Sequence, residues 1–148
     1  MIRAAPHRLF AFFFDAWMHL KIRRSFREVV IHNNTRDQGR AILVIANHVG
    51  WWDGFWARYM NARVFRRRLH VMMLEDELKK RKFLRWLGAF SIQPGSRSAA
   101  KSLLYAKNLL SEKPNMVLVY PQGRFESMHQ HPLQFEKGWF RMTENPSG

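Results

Sequence analysis

The chain has 148 residues, of which 47% are hydrophobic and 14% aromatic, enough for one domain with a real core and incompatible with a disordered polymer. Twenty-five Lys and Arg residues against 11 acidic ones give a net charge of +14, which draws the chain toward polyanions: nucleic acid, anionic membrane or phosphorylated substrate. With no cysteine, disulfides and thiolate metal sites are excluded.

The first apolar stretch, Leu9 to Leu20, has Arg3 and Arg8 before it and Lys21, Arg23 and Arg24 after it. It falls short of the ~20 apolar residues of a spanning helix, and Asp15 interrupts it. An aromatic helix with basic flanks suits the membrane interface, and residues 1–25 are expected to form an amphipathic interfacial helix; packing on its own domain is the competing reading. Arg27 to His32 is predicted as a short strand and Asn33 to Gly39 as a turn, making a hairpin with the next strand.

That next strand, Ala41 to Ala46, is apolar without alternation and is predicted to be buried on both faces. It ends at Asn47 and His48, and five residues on stands Asp53. On a continuous helix those two side chains would point about 140° apart, so they meet only if the chain turns between them, which Gly50 would permit. A helix from Gly54 to Asn61 follows, then a basic connection, Arg63 to Arg68, either solvated or facing phosphate.

Leu69 to Leu74 is predicted as a strand, and Met72 and Met73 as core. Glu75 to Arg85 is predicted as a helix, acidic first and basic last, stopped at Gly88. Ala89 to Ile92 is a short strand ending in Gln93-Pro94-Gly95. Ser96 or Ser98 caps a helix to about Ser111, and Met116 to Tyr120 is another buried strand. This alternation predicts an α/β domain with a mixed, largely parallel sheet covered by helices. Ligands in such sheets bind beyond the carboxyl ends of the strands, so Asn47–Asp53, Gln93–Arg97 and Pro121–Arg124 are expected to lie near one another.

An imidazole with an ordinary pKa near 6.5 can accept a hydroxyl proton at neutral pH, and a carboxylate can orient it, so His48 and Asp53 are candidates for base and partner. A structural turn histidine is the alternative. No Gly-x-Ser-x-Gly elbow is present, which favours direct attack by an acceptor hydroxyl over a covalent acyl-enzyme. His129, His131 and Glu126 are a weak metal set, and no metal is expected. Trp51 and Trp52 are candidates for an acyl- or membrane-facing groove, or are core rings beside the turn.

Asn47-His-Val-Gly-Trp-Trp-Asp53 resembles the N-H-x-x-x-x-D signature of the glycerolipid acyltransferase superfamily. In the family's order, Leu87-Gly-Ala-Phe-Ser-Ile92 is similar to its second block (G-x-x-F-I-x-R) and Val119-Tyr-Pro-Gln-Gly123 to its third (V-F-P-E-G-T-R). Phe135-Glu-Lys-Gly138 is similar to the F-x-x-G beyond it. The resemblance implies an acyltransferase-like fold over residues 26–148 and fatty acyl transfer from acyl-CoA or acyl carrier protein to a hydroxyl of a lysophospholipid or related lipid. It assigns His48 as base and Asp53 as its partner, with Asn47, Arg97, Gln122, Gly123 and Arg124 around the substrate and no cofactor beyond the acyl donor. The block-two arginine falls on Pro94 and the block-three glutamate on Gln122, so either Arg124 or Arg97 is expected to supply the phosphate-binding cation or the acceptor carries no phosphate. A fourth block, an I-P-V-type strand, is missing, and the sequence stops at Glu144–Gly148, soon after the F-x-x-G element, which implies either a truncated sequence, the favoured reading, or absent last strands. Expected partners are anionic membrane lipid, the acyl donor and a lyso-lipid acceptor, at the cytoplasmic face of a bacterial inner membrane, with no nucleic acid. The competing readings are a basic nucleic-acid-binding module, for which no recognised DNA- or RNA-binding signature appears, and an inactive lipid-binding relative.

Overall fold

The computed structural model describes residues 1–136 and 138–143. Lys137 of the F-x-x-G element and the closing stretch 144–148, where the expected truncation falls, lie outside the described residues. A four-stranded sheet has the order β1-β4-β2-β3, with β1 Ile42–Ile45, β2 Arg68–Leu74, β3 Ala89–Ile92 and β4 Asn115–Val119. Every pairing is parallel, so the expected mixed sheet is wholly parallel among these strands. The connections are α2 Asp53–Arg63, α3 Glu75–Lys80 with a 3-10 helix Lys82–Leu87, and α4 Arg97–Leu110; α1 Arg8–Ser25 precedes the sheet.

The central strand explains the layering. All five residues of β4 are buried. Successive side chains alternate: Val117 and Val119 pack with Phe90 and Ala106 of α4, while Met116 and Leu118 pack with Leu69 beneath Ala57 of α2. The helix α4 meets its face through Ser102 and Ala106, four residues apart, flanked by Leu103, Leu109 and Leu110. Opposite, Leu78, Leu84, Leu87 and Ala89 form a cluster against which Phe10, Ala11 and Phe14 of α1 pack.

Three local expectations are corrected. Residues 27–32 form no strand and the hairpin is absent: β1 pairs in parallel with β4 alone, and Val30 is 63% exposed. The β-propensity of Val29-Val-Ile31 reports fitness for a packed pleated surface, and no element here offers one. Strand β1 is therefore an edge strand and half-buried, not covered on both faces. The helix predicted over Glu75–Arg85 breaks at Arg81 into α3 and the 3-10 helix. It does end at Gly88, at φ 101°, where a Cβ would collide with the carbonyl of Leu69.

The helix α1 is apolar on both sides rather than amphipathic in the simple sense. Its inner residues Phe10, Phe14 and Met18 join the domain, and Arg58 of α2 clamps Asp15 through two hydrogen bonds of 2.5 and 3.0 Å. Its outer residues Leu9, Phe12, Phe13, Trp17 and Leu20 are 45–67% exposed. Among the described residues, no helix is long and apolar enough to cross a membrane.

Candidate active site

Strand β1 delivers its exit residues beside those of β4 because the two are neighbours. There the ring of His48 lies 2.9 Å from Asp53 through Nδ1 and Oδ2. Asp53 is the first residue of α2, and the same Oδ2 accepts the N–H groups of Val49 and Gly50 at 2.8 and 2.9 Å. The turn is thus closed by the carboxylate, with Asp53 N–H also donating to the Gly50 carbonyl. Gly50 is not in the left-handed region and has open space where a Cβ would go, so the freedom expected of it is not what makes the turn.

Because Nδ1 must carry a proton to donate to a carboxylate, Nε2 is the ring's acceptor nitrogen. The ring is held by more than Asp53. Tyr120 stacks on it at 4.1 Å between centroids and 15° between planes, and Phe125 packs at 4.3 Å, tilted by 54°. Burial pushes the Tyr120 phenol pKa up, with the negative Asp53 adding to the effect, so this side chain is a neutral platform. Its hydroxyl is buried and has no hydrogen-bond partner among the described residues.

The backbone of His48 is gripped from the β4 exit. Gln122, only 4% exposed, accepts the His48 N–H at 2.6 Å, and the N–H of Glu126 donates to the His48 carbonyl at 2.8 Å. Gln122 Nε2 donates to Glu126 Oε2 at 2.8 Å and Arg124 Nε to Glu126 Oε1 at 2.9 Å. Those two hydrogen bonds, Gln122 first and then Arg124, hold the Glu126 carboxyl below the usual carboxylate range. Buried Glu126 is the site residue the sequence reading missed. Its place in a loop with His129 and His131 suggested a metal ligand, whereas its carboxylate is spent on Gln122 and Arg124. Among the described residues no group of three His, Cys, Asp or Glu side chains is placed to hold a metal.

His48 opens onto an apolar cavity of about 390 Å³ between α2 and strands β2 and β3, with Phe55, Val71, Met73, Leu84 and Ala89 in its walls. Trp51 lines it and is backed by Arg81, whose guanidinium lies 4.1 Å from the ring centroid. Trp52 is 55% exposed and stands outside. Gly123, at φ 68°, and Arg124 are at the mouth, and a Cβ on Gly123 would press on Glu136 at 3.1 Å. Asn47 is exposed and does not line the cavity; Arg97, exposed at the start of α4, does not either. The physical reason for Arg97 is strand order: β4 and β2 stand between β1 and β3, so the expected convergence of three strand exits holds for β1 and β4, while β3 reaches the cavity through Ala89 and Ile92 and its exit loop at Gln93–Arg97 does not.

The family model described as Acyltransferase matches residues 27–147, a span that contains the whole sheet, the His48–Asp53 pair and the Gln122–Glu126 network. No curated protein and no solved structure matches the chain.

Proposed function

The chain belongs to the acyltransferase family, and on that premise we propose that it transfers a fatty acyl group from a thioester, acyl-CoA or acyl carrier protein, to a hydroxyl of a lysophospholipid or related lipid alcohol at a membrane surface. The observation that carries this reading is the oriented His48 ring: Nδ1 is held by Asp53, and the ring borders a cavity whose walls are largely apolar.

In the proposed step the acceptor oxygen attacks the thioester carbonyl while its proton passes to Nε2 of His48. The C–O bond forms, the C–S bond breaks, and the proton returns to the departing thiolate sulfur. Asp53 stabilises the imidazolium that exists in between, and the stacked Tyr120 and Phe125 restrict the ring's rotation. The apolar cavity suits an alkyl chain, at roughly 0.8 kcal/mol per buried methylene. Arg124 is the better placed of the two candidate cations for an acceptor phosphate. It stands at the mouth, and its Nε bond to Glu126 leaves the remaining guanidinium donors for an anion.

The outer face of α1 supports action at a membrane surface, with five large apolar side chains exposed together beside Arg8, Arg23 and Arg24. The test is a product analysis with labelled acyl-CoA and acyl carrier protein thioesters across a panel of lyso-lipids and simple lipid alcohols. Acyl ester formed on one class of acceptor hydroxyl is expected; an exclusive preference for an amine acceptor, or no transfer from either donor, would contradict the reading.

A further inference from the structure

The sheet has a second recess at its other end. Arg68 and Asn115 begin β2 and β4, so this groove, about 490 Å³, lies at the amino ends of the strands, away from the carboxyl-end turn that carries His48. Its walls include five arginines: Arg8 of α1, Arg58 of α2, and Arg66, Arg67 and Arg68. Two are occupied. Arg58 is bound to Asp15, and Arg67 to Asp37 and the Lys113 carbonyl. Among the described residues the side chains of Arg8, Arg66 and Arg68 make no hydrogen bond or ion pair. Glu112 is the remaining carboxylate in the walls, and three free guanidiniums against it leave two positive charges.

Two further observations make this a built recess rather than a basic surface. His70, 6% exposed, contributes to its wall, and among the described residues its buried Nδ1 has no hydrogen-bond partner, a costly state unless a ligand supplies one. One of these arginines is also held in place against backbone preference. Arg66 sits at φ 53°, and Asn61 fixes it by accepting the Arg66 and Arg67 N–H groups at 2.7 and 3.0 Å and donating to the Arg67 carbonyl at 2.8 Å. A left-handed non-glycine residue so over-determined is characteristic of ligand clamps.

We propose that this groove binds a phosphate monoester dianion, with Arg8, Arg66 and Arg68 as its cations and the His70 ring nitrogen as a buried hydrogen-bonding partner. Guanidinium forks match phosphate oxygens, and the two uncompensated charges match a dianion. The groove is larger than phosphate alone requires, leaving room for the esterified group. Two sources share this chemistry: a soluble phosphate ester, and the headgroup of a phosphatidate-type lipid reached from the membrane-facing side of α1, which contributes Arg8. The site is independent of acyl transfer and stands or falls without it.

The experiment titrates the full chain with inorganic phosphate while following the His70 ring by ¹H–¹⁵N correlation. In parallel, association is measured with phosphatidylcholine vesicles with and without phosphatidate. Arg8→Gln and Arg68→Gln are compared with Lys101→Gln, an exposed cation of α4, as a control for general charge. Each groove variant is expected to weaken phosphate binding about tenfold, the control less than twofold, and the His70 ring signals to move on binding. Selective loss only with phosphatidate vesicles would assign the lipid source. No perturbation of His70 by either ligand, or equal binding by the groove variants and the control, would overturn the proposal.

Discussion

One oxygen of Asp53, Oδ2, holds Nδ1 of His48 at 2.9 Å while accepting two backbone N–H groups from the turn between them. The same atom therefore builds the bend and orients the His48 ring. The substitution Asp53→Asn retains an acceptor oxygen for the turn but removes the charge that stabilises an imidazolium. It is expected to lower kcat by roughly 10² to 10⁴, with a far-ultraviolet circular dichroism spectrum like that of the parent. Asp53→Ala should lose the turn as well, and melt at a lower temperature than Asp53→Asn.

Gln122 ties the His48 backbone to Glu126, four residues on. Gln122 Nε2 donates to the Glu126 carboxylate while its Oε1 accepts the His48 N–H, a pairing that an ionised glutamate cannot make. Gln122→Glu alone would set two carboxylates within hydrogen-bonding distance, and lower melting temperature and kcat are expected. Adding Glu126→Gln restores a donor opposite the new carboxylate and should recover much of both losses. A double variant as poor as the sum of the single ones would show that the pair does not position His48.

The outer face of α1 is separable from the core because its inner residues do the packing. Phe12→Ser with Phe13→Ser is expected to reduce association with anionic vesicles by at least tenfold in a sedimentation assay. Each fully buried aromatic contributes about 1.5–3 kcal/mol of transfer free energy. The melting temperature in the absence of lipid should change by less than about 2 °C, since exposed positions contribute little to stability.

His70 gives the fold a pH dependence. Burial, the largest cause, holds its pKa below the ordinary 6.5, outweighing the favourable influence of the neighbouring Asn115 side chain and the attraction of Glu112; Arg68 acts in the same direction as burial. The unfolded chain then binds a proton that the folded one refuses, so this contribution is complete above about pH 6.5 and is lost as pH falls through the depressed folded value. Urea midpoints measured between pH 7.5 and 5 should fall more steeply in the parent than in His70→Gln.

Much of the architecture was legible in the sequence because the signals were local. The apolar run Met116–Tyr120, the Gly88 stop and the Ser96 helix start each appear within a residue or two of expectation. The pairing of His48 with Asp53 was legible as a condition, that the chain must turn. What closes the turn was not, since it is a three-way hydrogen bond and not a glycine conformation. Strand order was hidden as well. Pairing of β1 with β4, rather than with residues 27–32, depends on contacts between segments more than 70 residues apart in sequence. For the same reason Glu126, reached through Gln122, and the packing of Tyr120 and Phe125 on His48 gave no local sign of their roles.

The central claim is that His48 moves the acceptor proton. Its most direct test is His48→Ala beside the parent chain, assayed for labelled acyl ester with the acceptor that the parent prefers, with circular dichroism and vesicle association measured on the same preparations. Loss of acyl transfer by at least about 10² is expected, with fold and vesicle association retained. Transfer at the parental rate by a correctly folded His48→Ala protein would contradict it.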